Sequence, residues 1–201
     1  MSKLPINWFD ITLVVILLVG LKIGQKQGLS QQLLPSIKWL AIVFTCAFLY
    51  EPLGDLLHDS ASGLGSLFSY IAAYVGVIIV VNILFSFLKR AAGGKLTGSD
   101  VFGKSEYYLG MPAGMVEFAC ITITALALLN ARFISEQEVK ANRAFQKEVY
   151  SNELFPGLHT LQDEVFKDSL TGSWIKNNLG FMLIKPTPPA PPIQRKEFEM
   201  K

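Results

Sequence analysis

Residues 67–88 read LFSYIAAYVGVIIVVNILFSFL, an apolar run with no charged side chain and only Ser69, Asn82 and Ser86 polar beyond its two tyrosines. A helix needs about 20 such residues to cross about 30 Å of hydrocarbon. The run therefore predicts a membrane crossing, and three companions resemble it: Trp8 to Gly24, Leu33 to Tyr50, and Leu109 to Leu129. The expected fold is an all-α membrane protein with four transmembrane helices. The first run is the weakest, since its uninterrupted core spans only Ile11 to Leu21 and it needs Trp8 and Phe9 at one end and Ile23 at the other. Trp8 suits an interfacial belt position. Pro35 and Pro112 are expected near the starts of the second and fourth helices, where a missing N–H costs little.

Composition agrees with a membrane chain. The 201 residues are 51% hydrophobic and 17% charged, with mean hydropathy +0.38, against about 25% charged for soluble proteins. Charges gather after residue 130, which divides the chain into a four-helix module (1–130), an amphipathic helical extracytoplasmic segment (131–184) and a Pro-rich tail (185–201). A net charge of +2 with no clustered basic face gives no reason to expect a nucleic-acid partner. The expected partners are the lipid bilayer and either membrane proteins or a second copy. Cys46 and Cys120 lie inside apolar runs without a CxxC spacing or a nearby histidine, so they read as small buried hydrophobes, with no metal or cofactor expected. The first run is expected to be retained rather than cleaved as a signal peptide, because Asp10 precedes its core and no A-x-A site follows.

Orientation follows from Lys and Arg in the short connections. Lys22 and Lys26 lie between the first two runs; Glu51, Asp55 and Asp59 lie between the second and third; Lys89, Arg90, Lys95 and Lys104 lie between the third and fourth. The basic connections face the cytoplasm, so both termini are expected outside. In the outer segment, Ser135 with Glu138 matches a capping box, and Ala141, Phe145 and Val149 share a helical face. Leu158, Leu161 and Val165, with Phe166 and Leu170, make a second amphipathic stretch that Gly172 is expected to terminate. Trp174, Ile175, Leu179 and residues 181–184 add an apolar patch. These stretches rest on the membrane or the bundle, or dock a partner. From Lys185, PTPPAPP reads as a disordered polyproline tail.

Gly20, Gly24 and Gly28 stack on one helical face, and Ala72 with Gly76 and Gly110 with Gly114 repeat the spacing. In lipid, such faces let helix backbones approach closely, within one bundle or across a dimer. Asp10 and Lys22 lie near helix ends and Lys38 can snorkel. Glu117, read as eight residues into the fourth run, sits about 12 Å deep at 1.5 Å per residue. An intramembrane carboxylate is a functional candidate by default. It could pair with Lys38, or be neutral and bonded to Asn82 or Thr45. Catalysis finds no support: His58 and His159 are isolated, and the GLGS at residues 63–66 has no histidine partner on another span.

The residues also resemble a known family. NWFDI at 7–11, Gly24 and Gly28 flanking Lys26, Trp39 opening AIVFTCAFLY, LTGSD at 96–100, LGMPAGMVE at 109–117 and YSNELFPGLHTL at 150–161 are similar, in order and spacing, to the colicin V production (CvpA) family of bacterial inner-membrane proteins. The resemblance covers about residues 5–170. It implies four spans and an outside C-terminus, and an association with colicin V production or export and with envelope integrity, but no settled biochemical activity. Family members usually carry a basic residue and a glycine where Glu117 and Phe118 stand; VFGKSEYY after Asp100 looks like an insertion, and the Pro-rich tail is this chain's own. The expectation is an inner-membrane accessory protein acting through its glycine faces, with Asp100 as a turn or cap residue. The alternative is a small oligomeric transporter or channel built on Glu117, Lys38 and Asn82.

Overall fold

The computed structural model describes residues 6–60, 65–91, 105–134 and 157–188. Asp100, the Ser135–Glu138 capping box with the face behind it, and the chain beyond Pro188 lie outside the described residues. Helix is the dominant element: α1 (Trp8–Ser60), α2 (Ser66–Ala91), α3 (Ser105–Asn130), α4 (Leu158–Phe166) and α5 (Leu170–Asn178), followed by a single 3-10 turn at Gly180–Met182. Three of them, α1, α2 and α3, are long and apolar enough to cross a membrane.

Of the four apolar runs expected as four helices, the first two lie in α1 as two helical limbs that meet at a kink with no intervening loop. Within α1 the backbone leaves helical angles only at Gly28, whose φ of 76° and ψ of 167° fall in a region that is essentially glycine's alone. The break reverses the chain. Along residues 8–27, Gly20 meets Gly114, Gly24 meets Gly110, and Gly28 meets Glu106, so this first limb runs against α3. Along residues 29–60, Ser30 meets Glu106, Ser36 meets Ala113, and Val43 packs with Cys120, so the second limb runs with it. α2 then runs against the second limb, because Cys46 Sγ donates to the Tyr74 carbonyl and Tyr70 donates to Asp55.

The helices also extend beyond their apolar runs. Pro35 lies seven residues past Gly28, and Pro112 lies seven residues past Ser105, so both interrupt helix interiors rather than first turns. In water such a proline costs about 3 kcal/mol. Transmembrane helices tolerate it where neighbours re-satisfy the freed carbonyls. The outward faces of the long helices carry Val14, Val15, Ile79, Val80 and Phe87, all exposed. Surfaces of that kind require lipid, and this is a membrane protein.

Residues 157–188 form a cap on the end of the bundle where the first limb begins and α3 ends. Val165, Phe166, Ile175, Leu183 and Ile184 are buried in one cluster with Phe9, Ile42, Tyr50, Tyr74, Leu126 and Ala131. The apolar patch read from the sequence is thus in large part core. Gly172 does not terminate a helix. It lies in the first turn of α5, where a Cβ would stand 1.9 Å from the Val165 carbonyl oxygen, so its lack of a side chain lets α5 fold back onto α4. The tail departs from disorder at its start. Thr187 N–H donates to Ala131 O (2.9 Å), Phe133 N–H donates to Thr187 O (3.0 Å), and Asn130 Nδ2 donates to Ile184 O (2.9 Å).

Candidate functional site

Three constructions hold this bundle, and each begins with a residue type its surroundings demand. The first is a glycine seam between the first limb and α3. A Cβ on Gly24 would lie 2.1 Å from Gly110 O and one on Gly110 would lie 2.2 Å from Gly24 O; Gly114 and Gly20 repeat the relation at 2.1 Å and 2.7 Å. Backbone therefore rests on backbone, and dispersion rather than water exclusion supplies the attraction. Gly28 closes the row against Glu106. Ala72 and Gly76 do not join it. A Cβ on Gly76 would meet nothing within 4 Å, and both residues line an open apolar groove of about 710 Å³ between the second limb and α2.

The second construction is polar and buried between the second limb and α3. The break at Gly28 leaves the first N–H groups of the second limb without helical partners. Glu106, in the first turn of α3, reaches across to accept from Ser30 N–H at 3.2 Å. Gln32, 0% exposed, donates through Nε2 to Glu117 Oε2, and Ser36 Oγ donates to Ala113 O at 2.8 Å. Glu117 is twelve residues from Ser105 and thirteen from Asn130, about 18 Å and 20 Å from the two ends of α3. It is thus central in α3, in keeping with the depth expected from the sequence.

Lys38 holds its ammonium 5.5 Å from the centroid of Trp39. Among the described residues, no ion pair of 4.0 Å or less joins it to Glu117. Asn82 Nδ2 donates to Ile78 O of its own helix and takes no part. The residues the sequence reading missed are Gln32 and Glu106. Neither stands out by type, since the buried amide gains meaning only from the carboxylate it faces.

The third construction is a clamp on Asp10, 8% exposed. Its carboxylate accepts from Asn7 N–H (2.8 Å), Ser169 Oγ (2.8 Å), Leu170 N–H (3.3 Å), Thr171 N–H (2.9 Å) and Thr171 Oγ1. At the start of α1, Asp10 reaches back to the Asn7 N–H as in one half of a capping box, while Asn7 Oδ1 accepts from Trp8 N–H at 2.6 Å, a local pattern legible in NWFD. The same carboxylate also terminates α5, where orphan N–H groups and the positive end of the dipole favour an anion. Ser169 caps α5 as well, its Oγ accepting from Gly172 N–H at 3.0 Å. Beside it, Asn7 Nδ2 and Trp8 Nε1 donate to the Glu164 carbonyl (3.1 Å) and carboxylate (2.7 Å). On the far side, Lys185 pairs with Glu51 at 2.6 Å, which holds its ammonium above the ordinary lysine value. His159 lies 3.2 Å from Asp163 on α4. The reading of Asp10 as a residue that merely reaches the interface is therefore incomplete.

A search of the curated proteins found no match, nor did one of the solved structures. A family model described as "Colicin V production protein" matches residues 9–156. The matched span contains Asp10, the whole glycine seam and the Gln32–Glu117 contact, and ends before α4. A match over that share of the chain establishes that this protein belongs to the colicin V production protein family.

Proposed function

We propose that the protein is a non-enzymatic accessory component of the bacterial inner membrane, supporting production or export of colicin V-type toxins and the integrity of the envelope. The family match over residues 9–156 carries this reading. α1 crosses the membrane twice by reversing at Gly28, giving four crossings with Lys22, Lys26, Lys89 and Arg90 at the cytoplasmic side and the cap outside. The rigid glycine seam and the cap, clamped at Asp10 and Lys185, suit a scaffold that presents a fixed outer surface.

Deletion in a colicin V-producing strain tests the role. Toxin in the medium should fall and be restored by the wild-type chain but not by Gly24→Leu; unchanged toxin release would remove the reading. Topology is tested in a chain carrying Cys46→Ala and Cys120→Ala. Asn178→Cys should react with an impermeant maleimide in intact cells with a permeabilised outer membrane, and Gln27→Cys only after lysis. The part-buried Gln32–Glu117 contact favours a second reading, a small oligomeric transporter or channel. Glu117→Gln would then alter ion or solute flux in reconstituted vesicles while assembly survives, whereas the scaffold carries no flux at all.

A further inference from the structure

Gln32 is fully enclosed, and its amide is only half satisfied. Nε2 donates to Glu117 Oε2, while Oε1 has no hydrogen-bond partner. An ionised carboxylate can only accept, so it can use the Nε2 hydrogen and offer nothing to Oε1. A buried acceptor left bare inside a bilayer is costly. A neutral carboxyl group resolves both ends of the contact, since it accepts at Oε2 and donates from Oε1. Carboxylic acid and primary amide then exchange two hydrogen bonds as a closed pair.

We propose that Glu117 and Gln32 form a proton-binding site at the centre of the bundle, in which a neutral Glu117 carboxyl donates to Gln32 Oε1 while Gln32 Nε2 donates back. The proton comes from water and forms the Oε1–H bond, with no electron transfer. The groups facing the site favour this balance unevenly. Lys38 on the second limb lies near it and favours the ionised form, as does a side-chain hydrogen bond from Trp39. Its ammonium lies over the Trp39 ring, with no ion pair to the carboxylate among the described residues. Cys120, one turn along α3, is a neutral buried thiol. The first limb, which packs on the same stretch of α3 at Gly20, carries no ionisable residue between Asp10 and Lys22. The inference is independent of the accessory role, because a proton held at this point could serve stability alone.

Infrared spectroscopy of the full chain in lipid vesicles at pH 7 tests it. Wild type labelled with ¹³C-glutamate should show a neutral-carboxyl C=O band that moves on labelling. Glu117→Gln should abolish that band while keeping the fold, since a paired amide preserves both hydrogen bonds. Gln32→Leu should leave the band but move it to higher frequency, as expected for a carboxyl with fewer hydrogen bonds, and it provides the readout should Glu117→Gln fail to assemble. Glu106 is a buried glutamate that has one oxygen without a partner, so Glu106→Gln is the control and should leave the band in place. Absence of a labelled band in folded wild type would overturn the proposal. So would a band insensitive to Gln32→Leu and lost with Glu106→Gln, or a Glu117→Gln assembly defect repaired by Lys38→Met, which would make Glu117 a counter-ion.

Discussion

Replacing Asp10 with alanine should release the cap from the bundle. Of the five donors on its carboxylate, Asn7 N–H belongs to α1's own first turn rather than to the cap, and Leu170 N–H is long at 3.3 Å. The two that matter most come from Ser169, 1% exposed, and from the Thr171 backbone at 2.8 Å and 2.9 Å. Hydrogen bonds to a charged acceptor contribute about 1.5–3 kcal/mol each, and orphaned buried donors cost about as much. Two such bonds, discounted for non-additivity, give about 3–5 kcal/mol. At about 1.4 kcal/mol per tenfold change, cap opening should become roughly 10² to 10³ times more frequent or more. Hydrogen exchange by mass spectrometry in vesicles reads this directly: peptides covering Ser169 to Ile175 lose protection by at least a hundredfold, while α2 keeps its own. Asp10→Asn, which retains one acceptor but no charge, should lie between. Protection of the cap within threefold of wild type in Asp10→Ala would refute the clamp.

The two glycine pairs give a contrast within one spacing motif. Gly24→Ala places a methyl 2.1 Å from Gly110 O and should cost about 3 kcal/mol or more, whereas Gly76→Ala meets nothing and should be neutral or slightly stabilising by up to about 1 kcal/mol; thermal unfolding in mild detergent compares them, and equal losses would sink the seam. Gly172→Ala, aimed at Val165 O from 1.9 Å, should raise exchange in α4 and α5 and leave α2 unchanged. Glu51→Gln should bring Lys185 back toward the ordinary lysine value, seen as a lower alkaline midpoint in the NMR titration of its ammonium. Because the folded value is raised, the contact acts fully below the ordinary lysine value and is lost as pH rises through the raised one, so any effect on cap exchange should disappear at still higher pH.

Apolar length and glycine spacing were legible in the chain because both are local: one needs only a run, the other only a period. What was not legible depended on partners distant in sequence. Nothing in the spacing of Gly20, Gly24, Gly28, Ala72 and Gly76 says which face finds another backbone; the difference is that α3 offers Gly110 and Gly114 in register, while Ala72 and Gly76 face open groove. Gly28 looked like the third member of a packing stripe and is also the point where α1 reverses. A left-handed backbone is invisible in composition unless a turn is already suspected. Asp10 shows the same limit from the other side. Its short-range half, the bond back to Asn7 N–H, is written in four consecutive residues, and its long-range half lies about 160 residues away at the start of α5. Placing an anion at that point does two things with one side chain, since it starts the first helix and ends the orphan N–H groups of the last. The consequence is a cap whose attachment is tied to the entry of the first limb into the bundle. Loosening that limb would expose Val165, Phe166 and Ile175, which are buried in one cluster with Phe9 of the first limb.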